Sequence, residues 1–151
     1  MEEQVVQFCW LEAEQCRDLP LPCYHSELAA GMDVAAAVQQ PTILMPGDIQ
    51  LIPSGFSVAI PPGYELQVRP RSGLAVKQGV TIINSPGTID ADYRGEVKIA
   101  LVNLGREAQT VHRGDRVAQL VLSPVVRGRL ELVESLPQTI RGAGGFGHTG
   151  V

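Results

Sequence analysis

The chain has 151 residues, a mass of 16.2 kDa and a formal net charge of −4 at pH 7, which is the size of a single domain. Hydrophobic residues make up 44% of the sequence and the mean hydropathy is +0.08, values typical of a globular protein, and no apolar run reaches the length of a membrane span. The negative charge argues against a nucleic-acid polymer as the main partner, because domains that bind DNA or RNA usually carry a basic face.

The N-terminal part of the chain begins with an apolar stretch, QVVQFCWLEA at 4–13, which predicts a first strand. Cys9, Cys16 and Cys23 follow at regular spacing, with no C-x-x-C pair. An odd number of cysteines and the lack of a secretory signal predict reduced thiols and a cytoplasmic protein. The stretch AAGMDVAAAV at 29–38 leaves helix and strand open, because alanine favours helix.

Regular turn patterns dominate the middle of the chain. PGD at 46–48, PSG at 53–55 and PPG at 61–63 are separated by the short apolar segments IQLI, FSVAI and YELQV. Further on, VTIIN, EVKIALVNL and RVAQLVL also have strand character. Turns about every eight residues, with short strands between them, are typical of a sandwich or barrel. The sequence therefore predicts an all-β, jelly-roll-like fold.

RSGLAVKQG at 71–79 interrupts this strand pattern and predicts one short helix. Ser72 is the expected N-cap, residues 74–78 can form a turn or two, and Gly79 is a natural stop. The free amides and positive dipole end of such a helix, with Arg71 beside them, resemble a small phosphate site. The alternative is an ordinary capped helix with an arginine in solvent.

NSPGTIDADYRGE at 84–96 begins as a turn and continues in an alternating pattern. The alternation predicts a strand with one face of Ile89, Ala91 and Tyr93 and another of Asp90, Asp92 and Arg94. Two aspartates on one strand face are unusual, because aspartate is depleted in strands. An aspartate here could accept a proton from water or hold a metal. The alternative is a pair of solvated acids at a hairpin.

Two polar residues lie in apolar surroundings, Gln119 in RGDRVAQLVL at 113–122 and Asp33 in AAGMDVAA. Each side chain either lies on an exposed face or reaches into a polar pocket. Exposure is the expectation for both.

The C-terminal stretch RGAGGFGHTG at 141–150 is half glycine, which predicts a mobile segment unless something binds it. Its G-x-G-x-x-G at Gly142, Gly144 and Gly147 is not a dinucleotide-binding fingerprint, because no helix and acidic residue follow it. Phe146 is an aromatic on a flexible arm, which suits stacking on a base.

Taken in order, AGMDV, PRSGLA, NSPGTIDADYRGE, RGDRVAQLVL and RGAGGFGHTG resemble the five motifs of the trimeric deoxyuridine triphosphatases. The resemblance extends from about residue 29 to the C-terminus. It implies one jelly-roll domain over residues 1–151, with a flexible arm at 141–151 that crosses to a neighbouring subunit and closes as a lid. It also implies a homotrimer with shared active sites and Mg²⁺-dependent hydrolysis of dUTP to dUMP and pyrophosphate, which supplies dUMP for dTMP synthesis and keeps uracil out of DNA.

The resemblance also implies roles for individual residues. Asp90 would be the general base that activates the water attacking the α-phosphorus, and Asp33 would support Mg²⁺ through water. A hairpin from Asn84 to Lys98 would select uracil, with Tyr93 excluding a ribose. The implied substrate-binding residues are Arg71, Ser72, Gly73, Asn84, Gly87, Thr88, Ile89, Tyr93, Lys98, Gln119, Arg141, Phe146, Gly147, His148 and Thr149.

Two positions depart from the family pattern: Met32 stands where tyrosine or leucine is usual, and His148 where many members have serine. The first rival function is that of the dCTP deaminases, which share the jelly roll and the trimer. The second is a noncatalytic jelly-roll binding module with a disordered tail. The run TIDADYRGE and the complete fifth motif favour the triphosphatase.

Overall fold

The computed structural model describes residues 3–145, and this part of the chain contains eleven strands and one short helix. In chain order the elements are β1 (Gln7–Trp10), β2 (Met32–Ala35), β3 (Thr42–Leu44), β4 (Ile49–Pro53), β5 (Phe56–Ala59), β6 (Tyr64–Arg69), α1 (Ser72–Gln78), β7 (Val80–Ile82), β8 (Gly87–Ile89), β9 (Lys98–Asn103), β10 (Gln109–Val111) and β11 (Arg116–Pro124). The predicted all-β architecture with one helix is confirmed.

The strands form four antiparallel sheets around one main hydrophobic core. The largest has the order β2-β11-β6-β8, a three-stranded sheet has the order β4-β9-β7, and β1-β5 and β3-β10 are two-stranded. Alternate residues of these strands point inward, and the largest fully buried side chains include Phe56, Leu44, Ile52, Leu66 and Ile99. The four-stranded and three-stranded sheets carry the candidates Asp33, Gly87, Thr88, Ile89, Lys98 and Gln119, and the other candidates among the described residues lie at α1, in loops or in the C-terminal arm.

The turn pattern in the middle of the chain is confirmed. Gly47, Gly55 and Gly63 all have positive φ, at 87°, 77° and 88°. Glycine adopts this conformation without the steric cost that a side chain would bring. The three turns therefore separate β3, β4, β5 and β6 where the sequence placed them.

The helix α1 is confirmed, but its predicted N-cap is wrong. Ser72 is the first helical residue, and Arg71 is the N-cap, with extended backbone and no side-chain capping hydrogen bond. The C-terminal stop is as expected: Gly79 has φ +70°, and its N–H donates to the Ala75 carbonyl at 3.0 Å. A Cβ on Gly79 would lie 2.5 Å from the Gly105 nitrogen, so glycine is also required there by space.

The segment from 84 to 98 differs from the prediction in two ways. The strand β8 ends at Ile89, so the aspartates that follow lie in a loop and not on a strand face. The segment is also not a paired hairpin, because β8 pairs with β6 whereas β9 pairs with β4 and β7. The chain thus crosses from one sheet to the other between these two strands.

The N-terminal part of the chain is less regular than its apolar sequence suggests. The first strand covers Gln7–Trp10 only, where Phe8 packs on Phe56 with ring centroids 4.7 Å apart. The stretch at 29–38, for which the sequence left helix and strand open, contains the strand β2. This strand pairs with β11, and alternate side chains of the stretch pack into the core. The seven-residue α1 is the longest helix among residues 3–145, far short of a membrane span.

Candidate functional site

A cavity of about 270 Å³ lies where the β6–β8 edge of one sheet faces β9 and β4 of the other. We call it the Asp90 cavity. This volume is close to the lower end of ligand pockets, about 300 Å³, and suits one ring with part of a sugar. Its lining comprises Leu51, Val68, Asn84, Gly87, Thr88, Ile89, Asp90, Tyr93, Glu96, Val97, Lys98 and Ala100. The structure thus brings together Asp90 and all the substrate-binding candidates between 84 and 98, but not Asp92.

Close packing at Gly87 shapes one wall of the cavity. A Cβ there would lie 3.2 Å from the Asn84 Nδ2 atom and 3.2 Å from the Val68 Cβ. Glycine therefore lets the Asn84 amide approach β8, while Val68 pairs with Gly87 in the ladder. A larger residue at 87 would push the amide out of this position.

Asp90 is the first residue after β8, at the rim of the cavity. Its side chain is exposed, and its carboxylate forms no hydrogen bond or ion pair with any of residues 3–145. Its main-chain carbonyl accepts a hydrogen bond from the Tyr93 N–H at 3.1 Å, which turns the loop back toward the cavity. A carboxylate with no partner in the protein is available to accept a proton from water.

The rest of the loop after Asp90 is closed by its own hydrogen bonds. Arg94 Nη1 donates to the Ala91 carbonyl at 2.7 Å and to the Tyr93 carbonyl at 2.8 Å. The Tyr93 hydroxyl donates to the Glu96 carbonyl at 3.0 Å. Asp92 is exposed and does not line the cavity. Of the two aspartates in this motif, only Asp90 therefore belongs to the candidate site.

A second group of candidates surrounds Asp33 on β2. Its Oδ1 lies 3.2 Å from Arg71 Nε, and its Oδ2 lies 3.1 Å from Arg116 Nη1 and 3.4 Å from His25 Nε2. We call these four residues the Asp33 cluster. Arg71 also donates from Nη1 to the Arg116 carbonyl at 3.0 Å. The carboxylate thus fixes two guanidinium groups next to each other, an arrangement suited to binding phosphate.

Gln119 lies beside the Asp33 cluster, because Asp33, Gln119 and Arg69 pair in one row across β2, β11 and β6. Gln119 Nε2 donates to the Pro70 carbonyl at 3.0 Å, and a Cβ on Gly31 would lie 2.1 Å from its Oε1. The expectation of simple exposure is wrong for both polar residues. Gln119 is half-buried and bonded, and the Asp33 side chain is only 15% exposed.

Ser72 and Gly73 follow directly on Arg71 and are exposed at the start of α1. No acidic residue lies in the first helical turn and no side chain caps it. The amides at this end of α1 are therefore open to an anion from outside the chain. Arg71, however, is turned toward Asp33. The alternative of an arginine that lies free in solvent is therefore wrong.

The Asp90 cavity and the Asp33 cluster are far apart in one chain. Asp33 lies on β2 and Asp90 follows β8, the two outer strands of the four-stranded sheet. In the register of the sheet, Asp33 and Asp90 are three strands apart across the sheet and four residues apart along the strand direction. With standard strand spacings, this corresponds to a Cα–Cα distance of about 20 Å. The two groups therefore cannot act on one phosphorus atom within a single chain.

The remaining candidates belong to the C-terminal arm. Arg141 lies in neither group; its Nε donates to the Gly144 carbonyl at 2.8 Å, and its side chain is exposed. Phe146, Gly147, His148 and Thr149 lie outside the described residues. Their proposed contacts with substrate therefore remain predictions.

Three titratable residues of these groups were not singled out from the sequence. Arg116 lies three residues before Gln119, so the spacing R-x-x-Q on a strand is a usable pattern for it. Glu96 lies in the same motif as Asp90 and lines the cavity. His25 belongs to the N-terminal part of the chain that carries no motif, and only the structure brings it to Asp33.

Comparison with known proteins places these features in a family. The family model described as dUTPase matches residues 17–150. A protein of Desulfotalea psychrophila named deoxyuridine 5′-triphosphate nucleotidohydrolase is 62% identical over 149 residues, covering 99% of each chain. One of the same name from a Thermoanaerobacter species is 52% identical over 140 residues, covering 93% of this chain and 95% of that one.

The fold is also similar to solved structures. A mutant of the Staphylococcus bacteriophage 80alpha dUTPase, solved with dUpNHpp, superposes with a TM-score of 0.86 at 25% identity. The match covers 99% of this chain and 100% of the phage chain. The predicted architecture is therefore found in an experimental structure of a protein that binds a nucleotide analogue.

Proposed function

The chain belongs to the dUTPase family, and from that premise we propose that it hydrolyses dUTP to dUMP and pyrophosphate. The observation that carries this proposal is the Asp90 carboxylate, which has no partner among residues 3–145 and lies at the rim of a cavity that suits one ring with part of a sugar. In the reaction, a water oxygen forms a bond to the α-phosphorus. The bond from that phosphorus to the αβ-bridging oxygen breaks, and pyrophosphate leaves.

Asp90 acts as the general base in this scheme. It orients the water and takes its proton as the new oxygen–phosphorus bond forms. A carboxylate is a weak base, so positioning of the water and stabilisation of charge on the phosphate supply much of the acceleration. The free carboxylate is consistent with this role, because no ion pair in the described chain has to be broken first.

The Asp90 cavity selects the base and the sugar. Its tight lining along β8 and β9 leaves room for uracil and excludes the methyl group of thymine. The main chain of the segment from Asn84 to Lys98 serves as the pairing partner of the base. Tyr93 lies under the deoxyribose, where a 2′-hydroxyl would clash with its ring. Selection by a clash can discriminate more strongly than a lost contact.

The Asp33 cluster and its surroundings bind the phosphates. Arg71, Ser72 and Gly73 hold the phosphate chain, and Gln119 lies near the α-phosphate. Asp33 keeps Arg71 oriented before substrate arrives, which lowers the cost of ordering a long side chain. The positive charge of two neighbouring arginines offsets the charge of the triphosphate.

Mg²⁺ would be held mainly by the phosphates of the substrate, with Asp33 supporting it through water, and it would neutralise negative charge there. Residues 3–145 contain no group of three acidic, histidine or cysteine side chains that could hold a metal. Both oxygens of Asp33 already accept hydrogen bonds from guanidinium groups. These contacts fit support of the ion through water and do not fit direct coordination.

We further propose a homotrimer in which each active site combines the Asp90 cavity of one subunit with the Asp33 cluster of another. The separation of about 20 Å within one chain supports this proposal. So does an apolar outer face on the three-stranded sheet, where Leu51 and Ile83 are more than half exposed on either side of Ala100. Leu51 and Ala100 also line the cavity, so a subunit packed on this face would border the site.

The C-terminal arm completes the proposed site. Phe146 stacks on the uracil, and Arg141, Gly147, His148 and Thr149 contact the phosphates. Closure of residues 141–151 as a lid excludes water other than the nucleophile. The whole chain would then form one catalytic domain, and its three free thiols suit the cytoplasm.

The first experiment measures pyrophosphate release with Mg²⁺ from dUTP, dTTP, dCTP and UTP. Release from dUTP alone would establish the reaction together with base and sugar selection. Ammonia or dUTP formed from dCTP would instead favour a deaminase. A folded sample that is inactive on all four nucleotides would favour a noncatalytic binding module.

The shared site is tested by co-expressing two inactive variants, Asp90→Asn and Arg71→Ala. Each site needs the cavity of one chain and the cluster of another, so random assembly should restore about a quarter of the sites. Asp90→Asn co-expressed with Asp90→Ala is the control, because both changes remove the same carboxylate and no combination repairs it. Equal activity in both mixtures would contradict the shared site.

A further inference from the structure

The loop that carries Tyr93, residues 90–97, is connected to the body of the protein on one side of Tyr93 by Ala91, which packs against the core, and on the other side by Glu96. The loop residues Asp92, Tyr93 and Arg94 are exposed, and the hydrogen bonds of Arg94 only close the loop on itself. The Tyr93 hydroxyl donates to the main-chain carbonyl of Glu96 at 3.0 Å. The orientation of the Tyr93 ring therefore depends on how firmly Glu96 is held.

Glu96 is held by its own side chain. Its Oε1 accepts a hydrogen bond from the Gly55 N–H at 3.0 Å, and its Oε2 lies 3.6 Å from Lys98 Nζ. The side chain is only 19% exposed, so the carboxylate accepts this N–H largely shielded from water. A hydrogen bond to a charged acceptor in such a place is stronger than one in solvent.

The turn at residues 54–56, whose Gly55 amide binds Glu96, is itself held by hydrogen bonds. The Val97 N–H donates to the Phe56 carbonyl at 2.9 Å, and the Ser54 hydroxyl donates to the Val97 carbonyl. The carbonyl of Gly55 accepts a hydrogen bond from the Leu11 N–H at 2.9 Å. Ser54 and Phe56 are buried, so Glu96 and its neighbour are tied to the core at three successive residues.

Gly95 completes this arrangement, because the Tyr93 ring folds back over it. A Cβ on Gly95 would lie 2.4 Å from the Tyr93 hydroxyl oxygen and 2.6 Å from the ring carbon that bears it. Any larger residue at 95 would displace the ring. The position of the Tyr93 ring is thus set by the space above Gly95 and by the carbonyl of Glu96.

We propose that Glu96, through its bond to the Gly55 amide, is a positioning residue that fixes Tyr93 and thereby sets the discrimination of deoxyribose from ribose. This inference rests on the proposed function, in which Tyr93 excludes the 2′-hydroxyl. Glu96 touches no reacting atom in this account. Loosening it gives the Tyr93 ring room to move aside, and UTP then fits where it was excluded.

The test compares kcat/KM for dUTP and UTP in four variants. Glu96→Ala should lower the dUTP:UTP ratio about tenfold, the loss expected when a pocket no longer rejects one small group. Glu96→Gln keeps an oxygen that can accept the Gly55 N–H and should retain a ratio near that of the wild type. Gly95→Ala should lower the ratio as Glu96→Ala does, without removing the carboxylate.

Asp48→Ala is the matched control, because the half-buried Asp48 accepts the Met45 N–H at 2.9 Å in another turn and does not line the cavity. It should leave the ratio unchanged, even if thermal unfolding shows some loss of stability. An unchanged ratio in Gly95→Ala, or in a folded Glu96→Ala, would overturn the proposal. So would a Glu96→Gln variant that loses the ratio as Glu96→Ala does.

The wild type separates this inference from the proposed function. If the unmodified protein does not hydrolyse dUTP, or hydrolyses UTP equally well, the proposed function fails before any variant is compared. If it prefers dUTP and the variants keep that preference, only the role of Glu96 fails.

Discussion

The Asp90 cavity is lined mostly by small and apolar residues; of its two acids, Glu96 accepts the Gly55 N–H, whereas Asp90 has no partner in the described chain. The Asp33 cluster consists of charged and polar side chains that already contact one another. In the first region a reactive group is left free, whereas in the second a carboxylate holds arginines in place. We infer that the first region is built for proton transfer and the second for orienting charge.

The largest expected effect comes from removing the free acid. Asp90→Asn should lower kcat about 10³-fold, in the range of a lost general base, while dUTP still binds. The fold should be unaffected, because no hydrogen bond of this carboxylate is lost. Steady-state kinetics and dUTP titration measure the two quantities.

Asp92→Asn is the matched control for this prediction, since Asp92 is an exposed acid in the same loop outside the cavity. It should have near-wild-type kcat. If Asp90→Asn turns over dUTP as the wild type does, Asp90 is not the general base. The free carboxylate would then no longer distinguish the function of the Asp90 cavity from that of the Asp33 cluster.

The next effect comes from the Asp33 cluster. Arg71→Ala should lower kcat/KM about 10²-fold, the usual cost of losing one donor to a developing charge. Arg116→Ala should cost less, because the Arg116 side chain is 49% exposed, against 27% for Arg71, and solvent weakens the contribution of its charge. Arg69→Ala serves as the control, since the Arg69 side chain bonds to Gln67 on its own strand and to no other side chain among residues 3–145. A loss for Arg69→Ala as large as for Arg71→Ala would indicate a general charge effect.

The third effect concerns the arm that would join the two regions in the assembly. Deletion of residues 141–151 should leave the core folded, because the end of the described chain is exposed and outside the hydrophobic core. We expect kcat to fall at least about tenfold, since the lid no longer excludes water. Circular dichroism and turnover on the same sample measure both properties. Full activity of the folded, shortened chain would refute the lid.

The sequence predicted the strands and turns well where local chemistry decides them, as at Gly47 and Gly79, which need positive φ. The prediction from sequence failed where contacts between segments that are far apart in the sequence decide the structure. The alternation after Ile89 suggested a strand, but the pairing of β8 with β6 stops at Ile89, although β6 extends two residues further, to Tyr64. The chain instead turns at Asp90, whose carbonyl accepts a hydrogen bond from the Tyr93 N–H. Asp33 was expected to be exposed because its partners Arg71 and Arg116 are far away along the chain.

The smallest effect should come from an ion pair outside both regions, between Asp18 and Arg113. Arg113 Nε and Nη2 each lie 2.8 Å from one Asp18 oxygen, and the hydrogen bond holds the pKa of Asp18 below its ordinary value. Because the folded pKa is lowered, the pair contributes stability above the ordinary pKa of about 3.9, and this contribution is lost as pH falls through the folded value.

Asp18→Asn should therefore lower the thermal unfolding midpoint slightly at pH 7, and the difference from the wild type should shrink toward zero below about pH 4. Activity on dUTP should be unchanged, in contrast to any change in the Asp33 cluster. A stability difference that persists at low pH would show that Asp18 acts through something other than its charge. A loss of activity would show that the Asp18–Arg113 ion pair also supports catalysis. The Asp33 cluster would then no longer differ from this ion pair in its effect on activity.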